Sequence, residues 1–116
     1  MKIISGLVAV FLMILTTFTW AGERQTFNLT LTEQGFVPSQ LEVPAHEKIE
    51  IRMYNATKKM AEFESFDMKF EKIAPPAKTI SVLTGPLKPG EYLFFDDYSA
   101  QDAKGKVISK VRLNRR

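Results

Sequence analysis

Hydrophobic and polar residues alternate with a period of two along most of the chain after residue 22. Segment 26–31 places its phenylalanine and two leucines on one side, with threonine and asparagine on the other. Segment 48–54 places two isoleucines and a methionine on one side and lysine, glutamate and arginine on the other. A period of two is typical of a β-strand with one buried face. No segment keeps a helical period over three turns, so the pattern predicts an all-β fold.

Glycine and proline clusters divide this pattern into short strands. Residues 97–104 lack alternation and are predicted to form a loop or one helical turn. Seven or eight strands, spaced by about 8–12 residues, predict an antiparallel sandwich or a small barrel. Besides the two segments above, the predicted strands are 40–43, 62–66, 68–73, 79–83, 91–95 and 106–113, with breaks at 35–39, 44–47, 74–77 and 85–90.

The first 21 residues have a different character. Lys2 carries the only charge before residue 22, and residues 7–15 form an apolar run. Small residues at Thr19 and Ala21 then suit cleavage after Ala21, which predicts a signal peptide over residues 1–21. The alternative is an uncleaved anchor, because residues 3–21 are just long enough to cross a bilayer. We expect cleavage, and export of residues 22–116 into a periplasm as a single domain.

Composition narrows the possible functions. The 116 residues are 45% hydrophobic and 25% charged, which argues against disorder and against a polytopic membrane protein. The net charge of +3 is too small and too scattered to predict nucleic-acid binding. The chain has no cysteine. Disulfides, iron–sulfur centres, cysteine-type zinc sites and type 1 copper sites are therefore excluded.

Several short motifs occur in an order that resembles the cupredoxins. The resemblance spans about residues 26–113 and implies a cupredoxin-like Greek-key β-sandwich, in which the last hairpin carries most of the copper ligands. The motifs are Gly-Phe-x-Pro at 35–38, Leu-x-Val-Pro-Ala at 41–45, Lys-Pro-Gly-Glu-Tyr-Leu-Phe-Phe at 88–95 and Lys-Gly-Lys-Val at 104–107.

Within the cupredoxins, the chain is most similar to the EfeO-type cupredoxin-like family of small exported domains, which are associated with bacterial iron uptake. Residues 62–64 match the Glu-aromatic-Glu motif of that family, and residues 73–77 and 85–90 also fit its pattern. The resemblance implies a metal ion, iron or copper, and a partner such as an inner-membrane iron permease or a periplasmic iron-uptake protein.

The chain departs from the blue-copper pattern at every ligand. The positions of the first histidine, the cysteine, the second histidine and the axial methionine fall near Ala61, Asp96, Ser99 and Lys104. A type 1 copper site needs one cysteine, two histidines and a weak axial ligand. Electron transfer through type 1 copper is therefore not expected.

Four acidic residues are the main candidates for metal ligands. Glu62 and Glu64 are two apart in a predicted strand, so their carboxylates project from the same face. The resemblance brings Asp96 and Asp97 to the same end of the sandwich. Such an oxygen-rich site suits iron, manganese or another hard cation, or weak Cu(II) binding. Alternatively, these acids are a solvated face paired with nearby lysines, such as those at 58, 59 and 69.

Two methionines and one histidine complete the candidates. Met60 and Met68 flank the acidic strand, and as thioether ligands they would favour Cu(I). Alternatively, they only fill space beside the core. His46 is the only histidine and lies in a predicted tight turn. Because histidine tolerates left-handed backbone, we interpret it as a turn residue, at the end of the sandwich away from the metal.

These observations leave three functions open. The first is a periplasmic metal-binding accessory protein of iron or copper uptake. The second is a metal-free interaction module that docks to a membrane or periplasmic partner through Phe94, Phe95 or Tyr98. The third, ferrous oxidation, requires a redox partner or oxygen access that the sequence does not indicate. No nucleophilic triad can be assembled without cysteine and with one misplaced histidine.

Overall fold

The computed structural model describes residues 24–113, which form nine strands in two sheets. The predicted signal peptide lies outside the described residues. Residues 24–113 contain no helix, and thus no helix that could span a membrane. The strands are β1 (Gln25–Thr32), β2 (Gly35–Val37), β3 (Gln40–Pro44), β4 (Ile49–Asn55), β5 (Ala61–Ser65), β6 (Phe70–Ala74), β7 (Thr79–Thr84), β8 (Gly90–Asp96) and β9 (Lys104–Lys110).

The two sheets have four and five strands. The first has the order β2-β1-β4-β7 and the second the order β3-β9-β8-β5-β6. The predicted all-β sandwich is thus confirmed, with nine strands where seven or eight were predicted, but its pairing is mixed, not purely antiparallel. β1 pairs with β4 and β3 pairs with β9 in parallel. The pair of β1 and β4 is parallel because β3 lies in the second sheet. After β3 the chain returns to the first sheet, and β4 runs beside β1 in the same direction.

Two differences from the predicted strands have local causes. Segment 35–37 was predicted as a break, yet it pairs with the end of β1 as the short strand β2. The predicted strand 68–73 begins two residues later, at Phe70, because Lys69 adopts a left-handed backbone with φ of 60°. Neither a three-residue strand nor a turn without glycine or proline leaves a clear signal in an alternating pattern.

The core is centred on three phenylalanine rings that join the sheets. Phe36 comes from the first sheet, and Phe63 and Phe94 come from the second. Their ring centroids lie 5.0 to 5.9 Å apart in tilted and edge-to-face arrangements, which aromatic pairs favour. The inward positions predicted on β4 are confirmed, since Ile49, Ile51 and Met53 are at most 1% exposed.

Asn55 fastens the end of β4 to the segment that leads into β5. Its side chain is fully buried and uses all of its hydrogen-bonding capacity. Nδ2 donates to the carbonyls of Lys59 and Ala74, both at 2.8 Å. Oδ1 accepts from the N–H and the hydroxyl of Thr57 at 2.9 and 2.8 Å. The loop before β5 is thus held from inside the protein.

We expect Asn55→Asp to lower the free energy of unfolding by at least about 2 kcal/mol, because a buried carboxylate oxygen would face two carbonyls without donors. Urea denaturation measures the change. Asn28→Asp is the matched control, since Asn28 is exposed and lies opposite Arg52. It should change stability by less than about 0.5 kcal/mol. Equal effects of the two variants would contradict the role of Asn55.

Candidate metal centre

The pleat of β5 determines where its acidic residues point. Phe63 is fully buried in the core. Successive side chains of a strand point to opposite faces, so Glu62 and Glu64 lie on the outer face of the five-stranded sheet. They were predicted to share one face, and the structure places them so. The candidate site is therefore built on a strand that the core holds rigidly.

Two further acids join this pair. One carboxylate oxygen from each of Glu62, Glu64 and Asp97 lies within 4.8 Å of the others. Glu71 on β6 is the cross-strand partner of Glu64, and its carboxyl group is close enough to that of Glu62 to raise the pKa of Glu62. Asp97 is held close because its N–H donates to the Glu62 carbonyl at 3.0 Å. We call these four residues the carboxyl cluster.

The carboxyl cluster has no basic partner among residues 24–113. None of the five ion pairs in this part of the chain includes a member of the cluster. The lysines at 58, 59 and 69, considered as partners on the sequence, are absent from these pairs. Clustered carboxylates repel unless a proton or a cation lies between them. The cluster is therefore an uncompensated negative site.

Glu62 is the most perturbed member of the cluster. It is only 8% exposed. Its pKa is raised to about 7, first by the hydrogen bond with Glu71, then by burial, and then by the charges of its three neighbours. Burial also raises the pKa of Glu64, and the charges of Glu71 and Asp97 add to this effect. Without a cation, the cluster is therefore expected to hold a proton.

Asp96 has a different environment from the one predicted for it. Asp96 and Asp97 were both grouped with the two glutamates, but of these two aspartates only Asp97 has a carboxylate beside them. The Oδ1 atom of Asp96 accepts the N–H groups of Glu62 at 2.9 Å and Tyr98 at 3.0 Å. Because side chains alternate along β8, Asp96 is on the same face as the buried Phe94, whereas Asp97, directly after the strand, continues the outer face of Phe95. Asp96 thus contacts backbone groups at the edge of the cluster.

The remaining candidates are not members of the carboxyl cluster. Met68 is 7% exposed and belongs to the hydrophobic core. Met60 is half-exposed and lines a cavity of about 130 Å³ near the loop after β8. His46 has φ of 65°, which confirms its turn conformation. The strand register puts His46 at the opposite end of the sandwich, because β3 ends beside the end of β9.

The positions that the resemblance assigns to copper ligands do not fit type 1 copper. Ala61 is buried and has no donor atom. The Ser99 hydroxyl accepts the N–H groups of Gln101 and Ala103 at 3.1 and 3.3 Å. Lys104 pairs with Asp102. Without a thiolate and two imidazoles, this end of the sandwich has no type 1 donor set.

Glu71 is the member of the cluster that the sequence prediction missed. The prediction placed a strand over 68–73 but did not derive its pairing with the acidic strand. A hairpin between β5 and β6 fixes Glu71 opposite Glu64. The available signal was the spacing of the two acids around the turn, which cannot be converted into a register until the turn length is known.

The raised pKa of Glu62 predicts how stability depends on pH. An unfolded glutamate titrates near 4.5, whereas folded Glu62 titrates near 7. The folded state binds more protons between these values, so the free energy of unfolding of the metal-free protein should fall as pH rises from about 4.5 to about 7. Denaturation at a series of pH values measures this slope.

Glu62→Gln should flatten that slope, because it removes the group that gains a proton on folding. Glu91→Gln is the matched control, since Glu91 lies in β8 of the same sheet and pairs with Lys106. It should keep the wild-type slope. An unchanged slope in Glu62→Gln would contradict the coupling within the carboxyl cluster.

Comparison with known proteins identifies a family that the sequence matches. The family model of the cupredoxin-like domain matches residues 4–109. An uncharacterized protein of Rickettsia prowazekii (strain Madrid E) is 40% identical over 80 residues, which are 69% of this chain. The match spans 64% of the length of that relative.

Solved structures show the same architecture. Auracyanin A, described as a blue copper protein of Chloroflexus aurantiacus, aligns with a TM-score of 0.63 and 16% identity, covering 73% of this chain and 98% of its own. The metal-binding domain of the Cu(I)-exporting P-type ATPase of Streptococcus pneumoniae D39 aligns with a TM-score of 0.62 and 17% identity, covering 73% and 84%. At these identities the likeness concerns the fold alone. Because the family model covers most of the sequence, the chain belongs to the cupredoxin-like domain family.

Proposed function

We propose that this protein is an exported metal-binding accessory protein of the EfeO type, acting in the uptake of iron or copper. It binds its metal ion at the carboxyl cluster. The observation that carries the proposal is the carboxyl group of Glu62, which is almost buried, lacks a basic partner in residues 24–113 and faces three other acids. A cation at this point would remove the repulsion that the metal-free cluster must tolerate.

The donor atoms favour a hard cation. The cluster offers only carboxylate oxygens, which suit iron or manganese and also bind Cu(II) weakly. Of the softer candidates, Met68 lies in the core and His46 at the far end of the sandwich. Copper is named for both solved structures described above, which supports a metal-related role for this fold. The oxygen donors favour iron over Cu(I) for this chain.

The proposed location and partners follow from the sequence. The predicted signal peptide supports export to the periplasm. The Glu-aromatic-Glu motif at 62–64 supports a role in iron uptake, with delivery to an inner-membrane permease or to a periplasmic iron-uptake protein. The cluster lies on an outer sheet face, where a partner can reach a bound ion. The proposal includes no catalytic step.

Calorimetric titration of the domain with Fe(II), Fe(III), Cu(II) and Mn(II) tests this function. We expect at least one of them to bind more tightly than about 100 μM. At a hundredfold excess over Kd, a bound ion should stabilise the fold by about 2.7 kcal/mol, seen as a higher melting temperature. Glu64→Gln should remove most of this gain without lowering the stability of the metal-free protein, because it relieves repulsion.

His46→Gly is the control for that experiment, because it changes a turn at the opposite end of the sandwich. The metal-dependent gain should persist in this variant. Binding weaker than about 100 μM for all four ions would exclude the proposed function. If Glu64→Gln keeps the full metal-dependent gain in stability, or if His46→Gly loses that gain, the metal binds elsewhere.

A second candidate function is an interaction module, and exposed hydrophobic residues favour it. Phe66 is 74% exposed and Leu93 is 53% exposed. Phe66 packs edge-to-face on Phe95, with ring centroids 5.1 Å apart. We call Phe66, Phe95 and the aliphatic Leu93 together the aromatic patch. Phe94, which the sequence suggested for docking, is fully buried, so it cannot contact a partner.

The aromatic patch adjoins the carboxyl cluster, since Phe95 is the cross-strand partner of Glu64. Charge complementarity therefore favours a partner protein whose apolar contact surface is bordered by lysine or arginine. We expect such a partner to be captured from a membrane fraction by the wild type, and less well as salt increases.

Phe66→Ser should abolish this capture. Val37→Ser is the matched control, because Val37 is 57% exposed on the other sheet, and it should capture the partner normally. Equal capture by both variants would exclude the aromatic patch as the docking surface.

A further inference from the structure

We propose that Asp96 is a positioning residue of the carboxyl cluster. By accepting two backbone hydrogen bonds, its side chain would fasten the start of β5 to the end of β8 and so set the spacing of Glu62 and Asp97. This inference rests on the proposed metal-binding function and assigns Asp96 a role other than that of a ligand.

The pairing of β5 with β8 is short, which makes the side-chain bonds important. The two strands align at two positions, Phe63 with Asp96 and Glu64 with Phe95. The N–H of Glu62 donates to the Asp96 carboxylate, at 2.9 Å, where the ladder ends. The Asp96 side chain thus extends the pairing by one residue.

The same oxygen also orders the loop that carries Asp97. Oδ1 of Asp96 accepts the N–H of Tyr98 at 3.0 Å, so the backbone turns directly after β8. The N–H of Asp97 donates to the Glu62 carbonyl at 3.0 Å. Asp97 is therefore fixed on both sides, and its carboxylate is held beside Glu62. Loss of the Asp96 side chain would free the N–H groups of Glu62 and Tyr98 and leave the backbone bond from Asp97 to Glu62 unsupported on either side.

Positioning and ligation make different predictions for Asp96→Asn. The amide oxygen of asparagine can accept the same two N–H bonds but carries no charge. If Asp96 positions the cluster, asparagine should substitute for it. If Asp96 binds the metal ion, asparagine should weaken binding. Asp96→Ala removes the acceptor and should disturb the cluster in either case.

Amide hydrogen exchange of the metal-free protein is the first test, and it does not depend on metal binding. In Asp96→Ala, exchange at the amides of Glu62 and Tyr98 should be about tenfold faster, whereas Asp96→Asn should stay close to the wild type. Asp67→Ala is the matched control. Asp67 accepts the N–H of Leu93 at 2.8 Å, which is another aspartate-to-β8 bond, at the far end of β5. Its loss should speed exchange at Leu93 and leave Glu62 unchanged.

Titration with Mn(II) and Cu(II) is the second test. The affinity for these ions should fall about tenfold in Asp96→Ala and stay near the wild-type value in Asp96→Asn and Asp67→Ala.

If Asp96→Ala does not fold, the affinity of Asp96→Asn decides alone. An affinity equal to that of the wild type supports the positioning role, and a tenfold loss overturns it. Unchanged exchange at Glu62 in a folded Asp96→Ala variant also overturns it. If the wild type binds neither ion, the function proposed above fails for these ions, and exchange alone then decides whether Asp96 fastens the strands.

Discussion

Burial of Phe63 is the constraint on which the outer face of the five-stranded sheet depends. Its ring is fully buried and packs against Phe36, Phe70 and Phe94. A one-residue shift of β5 would exchange its two faces and place acids in the core. Burial of unpaired carboxylates there would cost a large amount of free energy. The position of the carboxyl cluster is therefore a consequence of core packing.

The cluster itself works against stability, and the rest of the fold tolerates it. Its electrostatic cost is reduced because Asp97 and Glu71 are exposed to water, and because Glu62 and Glu71 can share a proton. Buried groups nearby are well satisfied: Asn55 makes four hydrogen bonds, and no buried side-chain polar atom in the described part of the chain lacks a partner. Electrostatic repulsion that is confined to one site, while the surrounding buried groups are fully hydrogen-bonded, is typical of functional sites.

The sequence predicts the strands with clear alternation and the residues that they bury, because burial on one face determines both. It predicts neither the parallel pairing of β1 with β4 nor the short strand β2, since these depend on which sheet each strand joins. The acidic pair at 62 and 64 follows from the period of the strand alone. The place of Glu71 depends on a turn length, and the separation of Asp96 from the predicted set that includes Asp97 depends on side-chain hydrogen bonds; alternation encodes neither.

The arrangement around Asp96 explains how a cupredoxin-like fold can order the loop after β8 without a type 1 copper site. The resemblance places Asp96 where cupredoxins have the copper cysteine, and here its carboxylate accepts two backbone N–H groups. Ser99 similarly accepts two N–H groups within the following loop. Hydrogen bonds to the backbone thus hold the loop that a metal would otherwise organise. The oxygen donors lie instead on an outer sheet face, open to solvent at Asp97, which on the proposed function favours exchange of an ion with a partner over electron transfer.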